Sequence, residues 1–334
     1  MPGDGTDLIH RYAERLKQQQ ASAARPAAIP ESPARREPAE SSEKPVHSVP
    51  VAKTVPATSP VSPVAPDAPT RQTEEPTRSV EAPRPASKPV RIDFRRLQRF
   101  GFIVPDADEK TKLSEEFRLI KLHLILKAFA KGDEAIPNGN VVMVTSARPG
   151  EGKTFFAVNL ALSVALERDL HVMLVDTDVY SQAVLSSLGL TAEKGLVDVL
   201  LDPNADLADV ILKTNIPNFS VVPSGFKHPN ASELMSSQRM AKLAEDMSER
   251  YPDRMIIFDS PPILASSETT VLASHVGQIV VVVEQNRTGW HLVERSLAQI
   301  ERCPEISFVL NKVTSKMWEE NYASRYGYGY KANS

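Results

Sequence analysis

The chain carries 334 residues, 41% of them hydrophobic and 24% charged, with a formal net charge of −3. A single cysteine, Cys303, excludes an intramolecular disulfide framework and a cysteine-rich metal site, and the near-neutral balance speaks against bulk nucleic-acid binding. No apolar run approaches the ~18 residues of a membrane span, and early acidic residues without an apolar h-region argue against a secretory signal, so a cytosolic protein is expected.

Of the 27 prolines, 16 precede residue 91, and no glycine occurs between Thr6 and Phe100. Text this rich in Pro, Ala, Ser, Thr and Val cannot bury enough apolar surface to offset its ordering entropy. Residues 1–91 are therefore expected to be a disordered, semi-stiff tether. Within it, Leu8, Tyr12 and Leu16 at four-residue spacing suggest a short helix over 7–20. Order is expected from Ile92. Over 112–131 the apolar stripe Leu113, Phe117, Ile120, Leu124 and Ala128 predicts a helix.

Beyond the turn Pro137-Asn138-Gly139 the pattern changes. Short apolar runs at 141–145, 171–176, 219–222, 254–259, 278–284 and 306–311 alternate with longer periodic segments. Continuous β-branched runs separated by helices read as buried parallel strands. The expected fold is α/β: a doubly wound, mostly parallel sheet flanked by helices, of P-loop NTPase type, over 92–321. Ligands of such sheets lie beyond the carboxyl ends of the strands.

The first run leads into Ala147-Arg148-Pro149-Gly150-Glu151-Gly152-Lys153-Thr154, with Phe155 entering an apolar helix. A glycine-containing turn that opens a helix aims backbone N–H groups and the positive dipole end at an anion. Lys153 is placed to reach β- and γ-phosphates, and Thr154 to offer a hydroxyl to Mg²⁺. The common loop has glycine where Ala147 stands, so this is a variant. Asp176 and Asp178 lie at the end of one run and Asp259 at the end of another. Singly, each also suits a turn or helix cap; three such carboxylates around one phosphate loop suit a hard, oxygen-liganded cation. Asn311, ending the last run, reads equally as an adenine contact or a plain turn residue.

With RPGEGKT, LVDTD and IIFDSPP in order, the chain resembles the bacterial tyrosine kinases of exopolysaccharide and capsule systems, and most of all their exosortase-associated autokinases. The resemblance runs from about Ile92 to Ser334 and takes in EEFRLIK, similar to the family's E-x-x-R-x-x-R oligomerisation motif. It implies ATP and Mg²⁺ as cofactors, with Thr154, Asp176 and Asp259 around the metal. It favours Asp176, over Asp178, as acceptor of the tyrosine proton. It also implies a ring-like homo-oligomer through Glu115, Arg118 and Lys121, a membrane-embedded polysaccharide co-polymerase as partner, a cognate tyrosine phosphatase, and a position beneath the inner membrane. Two residues depart from the pattern: Lys121 replaces the last arginine, losing its bidentate geometry, and Tyr180 stands where many members carry arginine.

Four of seven tyrosines, Tyr322, Tyr326, Tyr328 and Tyr330, fall within 322–334, with glycines among them. Such text reads as a mobile phosphoacceptor cluster, or as a plain disordered end or an edge strand. The resemblance implies the first, phosphorylated between subunits. The competing functional readings are a partition- or positioning-type ATPase and a nucleotide-dependent scaffold without tyrosine transfer. The partition enzymes carry a signature lysine where Arg148 stands, and lack the tyrosine cluster.

Overall fold

The computed structural model describes residues 89–105 and 111–313. The helix expected over 7–20, most of the tether and the four tail tyrosines lie outside the described residues.

Seven strands form one sheet: β1 (Val141–Ser146), β2 (His171–Asp176), β3 (Leu212–Lys213), β4 (Phe219–Val222), β5 (Arg254–Asp259), β6 (Gln278–Glu284) and β7 (Glu305–Asn311). Their order is β3-β4-β2-β5-β1-β6-β7. All neighbours are parallel except β3, which pairs antiparallel with β4 at one edge. The six expected strands are present, β1 one residue longer than its run and β7 starting one residue earlier. Strand β3 is too short to show a periodic pattern, and it went unread.

Helices α1 (Phe94–Arg99), α2 (Lys112–Ala128), α3 (Lys153–Ala165), α4 (Ala183–Leu188), α5 (Leu196–Leu201), α6 (Ala231–Met235), α7 (Gln238–Arg250), α8 (Ser267–Ala273) and α9 (Trp290–Ile300) accompany the sheet. Helix α2 starts where expected, with the Thr111 hydroxyl accepting from Ser114 N–H at 3.1 Å. It ends three residues before the expected 131, at the Phe129 cap.

Successive side chains of a strand point to opposite faces, so each strand feeds two cores. Val142, Val144, Val172, Leu174, Ile257, Val280 and Val282 face α1, α2 and α3. Val141, Met143, Met173, Val175, Ile256, Phe258, Ile279 and Val281 face α5 through α9. Helix α3 is apolar around most of its circumference because it lies buried between the sheet and α2, where Phe156 packs on Phe117 with ring centres 5.1 Å apart. Chain entry is pinned at the β3 edge. Val90 N–H donates to Lys213 O at 2.8 Å, and Ile92 N–H to Asn215 Oδ1 at 2.7 Å.

Strand register positions the site. Asp176 of β2 and Asp259 of β5 are direct partners, and Val144 of β1 pairs with Asp259. Three central strands therefore end at one level, where the chain leaves β1 for α3.

Candidate active site

Leaving β1, the backbone turns through Gly150 at φ 85° and Gly152 at φ 95°, left-handed conformations natural to glycine. Gly152 caps α3 without a side-chain bond. The first-turn N–H groups and the dipole of this 13-residue helix thus point out of the loop mouth, the geometry that receives an anion. Ala147 is buried, while Arg148 and Pro149 are exposed on the outer arm. Phe155 is half-buried and stacks on Phe102 at 5.2 Å.

Lys153 and Thr154, the first two residues of α3, both reach carboxylates. Lys153 Nζ lies 2.8 Å from Asp178 Oδ2, and Thr154 Oγ1 donates to Asp259 Oδ2 at 2.7 Å. Asp178 N–H donates to Asp176 Oδ1 at 3.1 Å, which draws the residues of the β2 end into one cluster. Asp176 and Asp259 are fully buried, and Lys153 is 8% exposed. Burial, and then the neighbouring Asp259, holds the Asp176 carboxyl well above its ordinary range. Burial pushes Asp259 to about 6, against the pull of Lys153 and the Thr154 hydrogen bond. For Lys153, burial works against the charge, but Asp259, Asp178 and Asp176 together keep its pKa above the ordinary value.

Two oxygens in this cluster have no hydrogen-bond partner among the described residues: Asp176 Oδ2 and Asp259 Oδ1. An orphaned buried carboxylate oxygen is costly, and a divalent cation is a partner that would satisfy both. Two carboxylates and a hydroxyl suit magnesium in particular, which is held by one or two carboxylates together with water and phosphate oxygens rather than by a full protein cage. No cluster of three or more histidine, cysteine or acidic ligands arranged for a metal occurs among the described residues. The residues present fit the metal that the loop motif implies.

A second network, on the β7 side of the loop, escaped sequence reading. The Glu151 carboxylate, 2% exposed, accepts from Arg148 N–H at 2.8 Å and from the Thr288 hydroxyl. Its carbonyl accepts from Asn311 Nδ2 at 2.9 Å. Lys312 Nζ donates to Gly150 O at 2.8 Å and pairs with Glu284 at 3.1 Å. A methyl group on Gly152 would lie 2.2 Å from Asn311 Nδ2 and would displace that side chain, while the φ of 95° is what calls for glycine. Asn311, read as an adenine contact or a turn residue, thus holds the backbone of the phosphate loop. Thr288 and Lys312 lie far from Glu151 in the chain, and no local motif marks them.

The three residues expected to share an oligomerisation face do not. Arg118 Nε donates to Glu115 Oε2 at 2.8 Å on the partly exposed side of α2. Lys121 is 4% exposed and turns inward, its ammonium 2.8 Å from Ser163 O and 2.6 Å from Glu167 Oε1. Six residues advance a helix to a point about 120° around from the start, so the third member falls on the α3-facing side.

A family model described as an AAA domain matches residues 139–307. The tyrosine-protein kinase YwqD of Bacillus subtilis is 31% identical over 241 residues, covering 71% of this chain and 94% of that one. The relative EpsB of Ralstonia solanacearum is 29% identical over 203 residues, 58% of this chain, and the chain spans 26% of its length. Among solved structures, the chimerical protein CapA2B2 superposes with a TM-score of 0.54 at 25% identity, covering 67% of this chain and 93% of that one.

Proposed function

The chain belongs to the AAA domain family and, with its bacterial relatives, to the tyrosine-protein kinases, and from that membership we propose an ATP-dependent autokinase that phosphorylates Tyr322, Tyr326, Tyr328 and Tyr330 between subunits. The observation that carries the reading is the pair of orphaned oxygens on Asp176 and Asp259 beside Lys153, at the mouth of a helix-capping phosphate loop.

That geometry supports the roles of the loop and of Lys153, and the family resemblance supports the rest. The loop from Ala147 to Phe155 binds the phosphates of ATP through its backbone N–H groups. Lys153, already drawn by the carboxylates, neutralises charge developing on the transferred phosphoryl group, the dominant contribution in such chemistry. Thr154, Asp176 and Asp259 would hold Mg²⁺, which when bound screens phosphate charge. Asp176 takes the tyrosine proton, with Asp178 the other candidate, and Asp178 also keeps Lys153 in place. Phenol ionises near pH 10, but a loose transition state needs little early deprotonation, so positioning outweighs base strength. Asn311 acts by holding the loop.

Around this site, the residues before Val90, which is bonded to the β3 edge, serve as tether, and 322–334 as substrate segment of the kinase domain. Glu115 and Arg118 meet a neighbouring subunit in a ring. A membrane-embedded polysaccharide co-polymerase holds the cytoplasmic ring at the inner membrane, a tyrosine phosphatase resets it, and the cycle regulates exopolysaccharide synthesis and export. No helix among the described residues is long and apolar enough to cross a membrane.

The test is phosphotyrosine mapping by mass spectrometry after incubation with ATP and Mg²⁺. Phosphate is expected on the tail tyrosines, and on the tail of a Lys153→Met chain mixed with active protein. Strong labelling of a variant with all four tail tyrosines changed to Phe would overturn the tail assignment; ATP hydrolysis without any phosphotyrosine would overturn the kinase reading.

A further inference from the structure

Beyond β2 the chain folds into a tight turn on Asp178, whose carbonyl accepts from Ser181 N–H at 3.1 Å and Gln182 N–H at 3.0 Å. Val179 is buried inside this turn, and Tyr180 at its tip is 56% exposed. Gln182 sits at φ 50° and donates from Nε2 to Gly225 O at 2.5 Å, which fastens the turn to the loop after β4. Gly225 is itself left-handed at φ 90°. The next residue, Phe226, is 45% exposed and carries the His228 ring edge-on at 5.7 Å. Two exposed aromatic rings thus stand on loops joined by the Gln182–Gly225 hydrogen bond, with the Tyr180 hydroxyl 3.4 Å from Ser232 Oγ and Tyr180 two residues from the carboxylate that pairs with Lys153.

Direction matters here. Asn311 and Lys312 hold the phosphate loop from the β7 side, whereas the Lys153 ammonium reaches toward β2 and so toward these rings. Resting on the reading of the chain as a tyrosine autokinase, we infer that Tyr180 and Phe226 form a stacking platform that receives the segment 322–330 of a second copy of this chain. Bound in extended form, Tyr326-Gly327-Tyr328-Gly329-Tyr330 presents three phenol rings on one side, with no side chain between them to obstruct stacking. The described chain ends at Val313, past β7, while β4 lies five strand positions away, about 24 Å across the sheet. A chain's own tail would have to cross the nucleotide mouth to reach the platform.

The experiment uses full-length chains. The donor has its four tail tyrosines changed to Ala, and the acceptor carries Lys153→Met with its tail intact. The donor then receives Tyr180→Ala, Phe226→Ala, both, or Tyr180→Phe, and initial rates of acceptor phosphorylation are followed against acceptor and ATP concentration. Each alanine change is expected to raise the apparent KM for the acceptor about threefold to tenfold, and the pair to raise it further. The KM for ATP stays within about twofold, and Tyr180→Phe behaves as the unaltered donor. An unmoved acceptor KM overturns the proposal, and so does a rise in the KM for ATP alone, which would assign the rings to the nucleotide base. Tyr180→Phe as costly as Tyr180→Ala also overturns it, since the hydroxyl near Ser232 would then matter rather than the ring. If the donor with an unaltered rim transfers nothing, both this inference and the kinase reading fall.

Discussion

On the β7 side of the phosphate loop, Glu151 answers Arg148 N–H and Thr288, while Asn311 and Lys312 answer the carbonyls of Glu151 and Gly150. On the β2–β5 side, Asp176 and Asp259 each keep a buried oxygen without a partner, and burial drives their pKa values up. The two flanks are built of the same kinds of groups within one loop's reach. Where the buried polar side chains are paired, the network stabilises the fold and shapes the loop. Where buried charge is left unpaired, stability is given up, and the return comes when a ligand supplies the missing partner.

That comparison can be broken most forcefully at Lys153. Lys153→Met removes the ammonium from the acidic flank, and tyrosine transfer should fall at least about a hundredfold, measured as the initial rate of phosphotyrosine formation. Circular dichroism should still report a folded α/β protein.

Next in size is a gain. Asp259→Asn should abolish metal-assisted transfer yet stabilise the nucleotide-free protein. A carboxylate whose folded pKa lies near 6 instead of 3.8 holds its proton more tightly in the folded state. Its unfavourable contribution is therefore nearly absent below about pH 3, grows between about pH 4 and 6, and is fully present above that range. The stability difference between variant and parent should climb from near zero at about pH 3 to about 3 kcal/mol at pH 7, read by chemical denaturation at each pH. A flat difference would show that Asp259 is not the strained group.

The paired flank should respond oppositely. Asn311→Ala unties Glu151 O and should cost about 1 kcal/mol of stability. A loosened loop should raise the KM for ATP about tenfold, with kcat moved less, as steady-state kinetics would show. The smallest effect is expected at Lys121. Because methionine can fill the space of the buried Lys121 stem with no ammonium left to pair, and Glu167 keeps a side chain 43% exposed to water, Lys121→Met should shift stability by about 1 kcal/mol or less and leave the oligomer mass unchanged. Replacing Glu115 and Arg118 with alanine should lower that mass by light scattering. An equal loss from Lys121→Met would place all three residues in one interface after all.

Fold class was legible because it is written locally. The runs 171–176, 219–222, 254–259 and 278–284 are β-branched and bounded by turns, and each became a strand with those limits. Helix α1 and strand β3, six and two residues long, were missed because neither completes enough periods to signal itself. Within the site, Lys153 and Thr154 were legible from the spacing of the phosphate-loop motif, and Asp176, Asp178 and Asp259 because each sits in or just beyond a strand end. Lys121 was misplaced because spacing along a helix reports which face a residue occupies only when the packing of that face is known.

The sequence by itself therefore determined the strands, the phosphate-loop turn and the identity of the acids, since these depend on neighbours within a few residues. Only the tertiary structure decided that Asp176 and Asp259 are aligned partners with free oxygens. It alone decided that Glu151 meets Thr288, 137 positions away, and that Tyr180 and Phe226 stand on joined loops. Those facts depend on strand register and on packing between distant segments, and hydrogen bonds and burial act through space with no regard for separation along the chain.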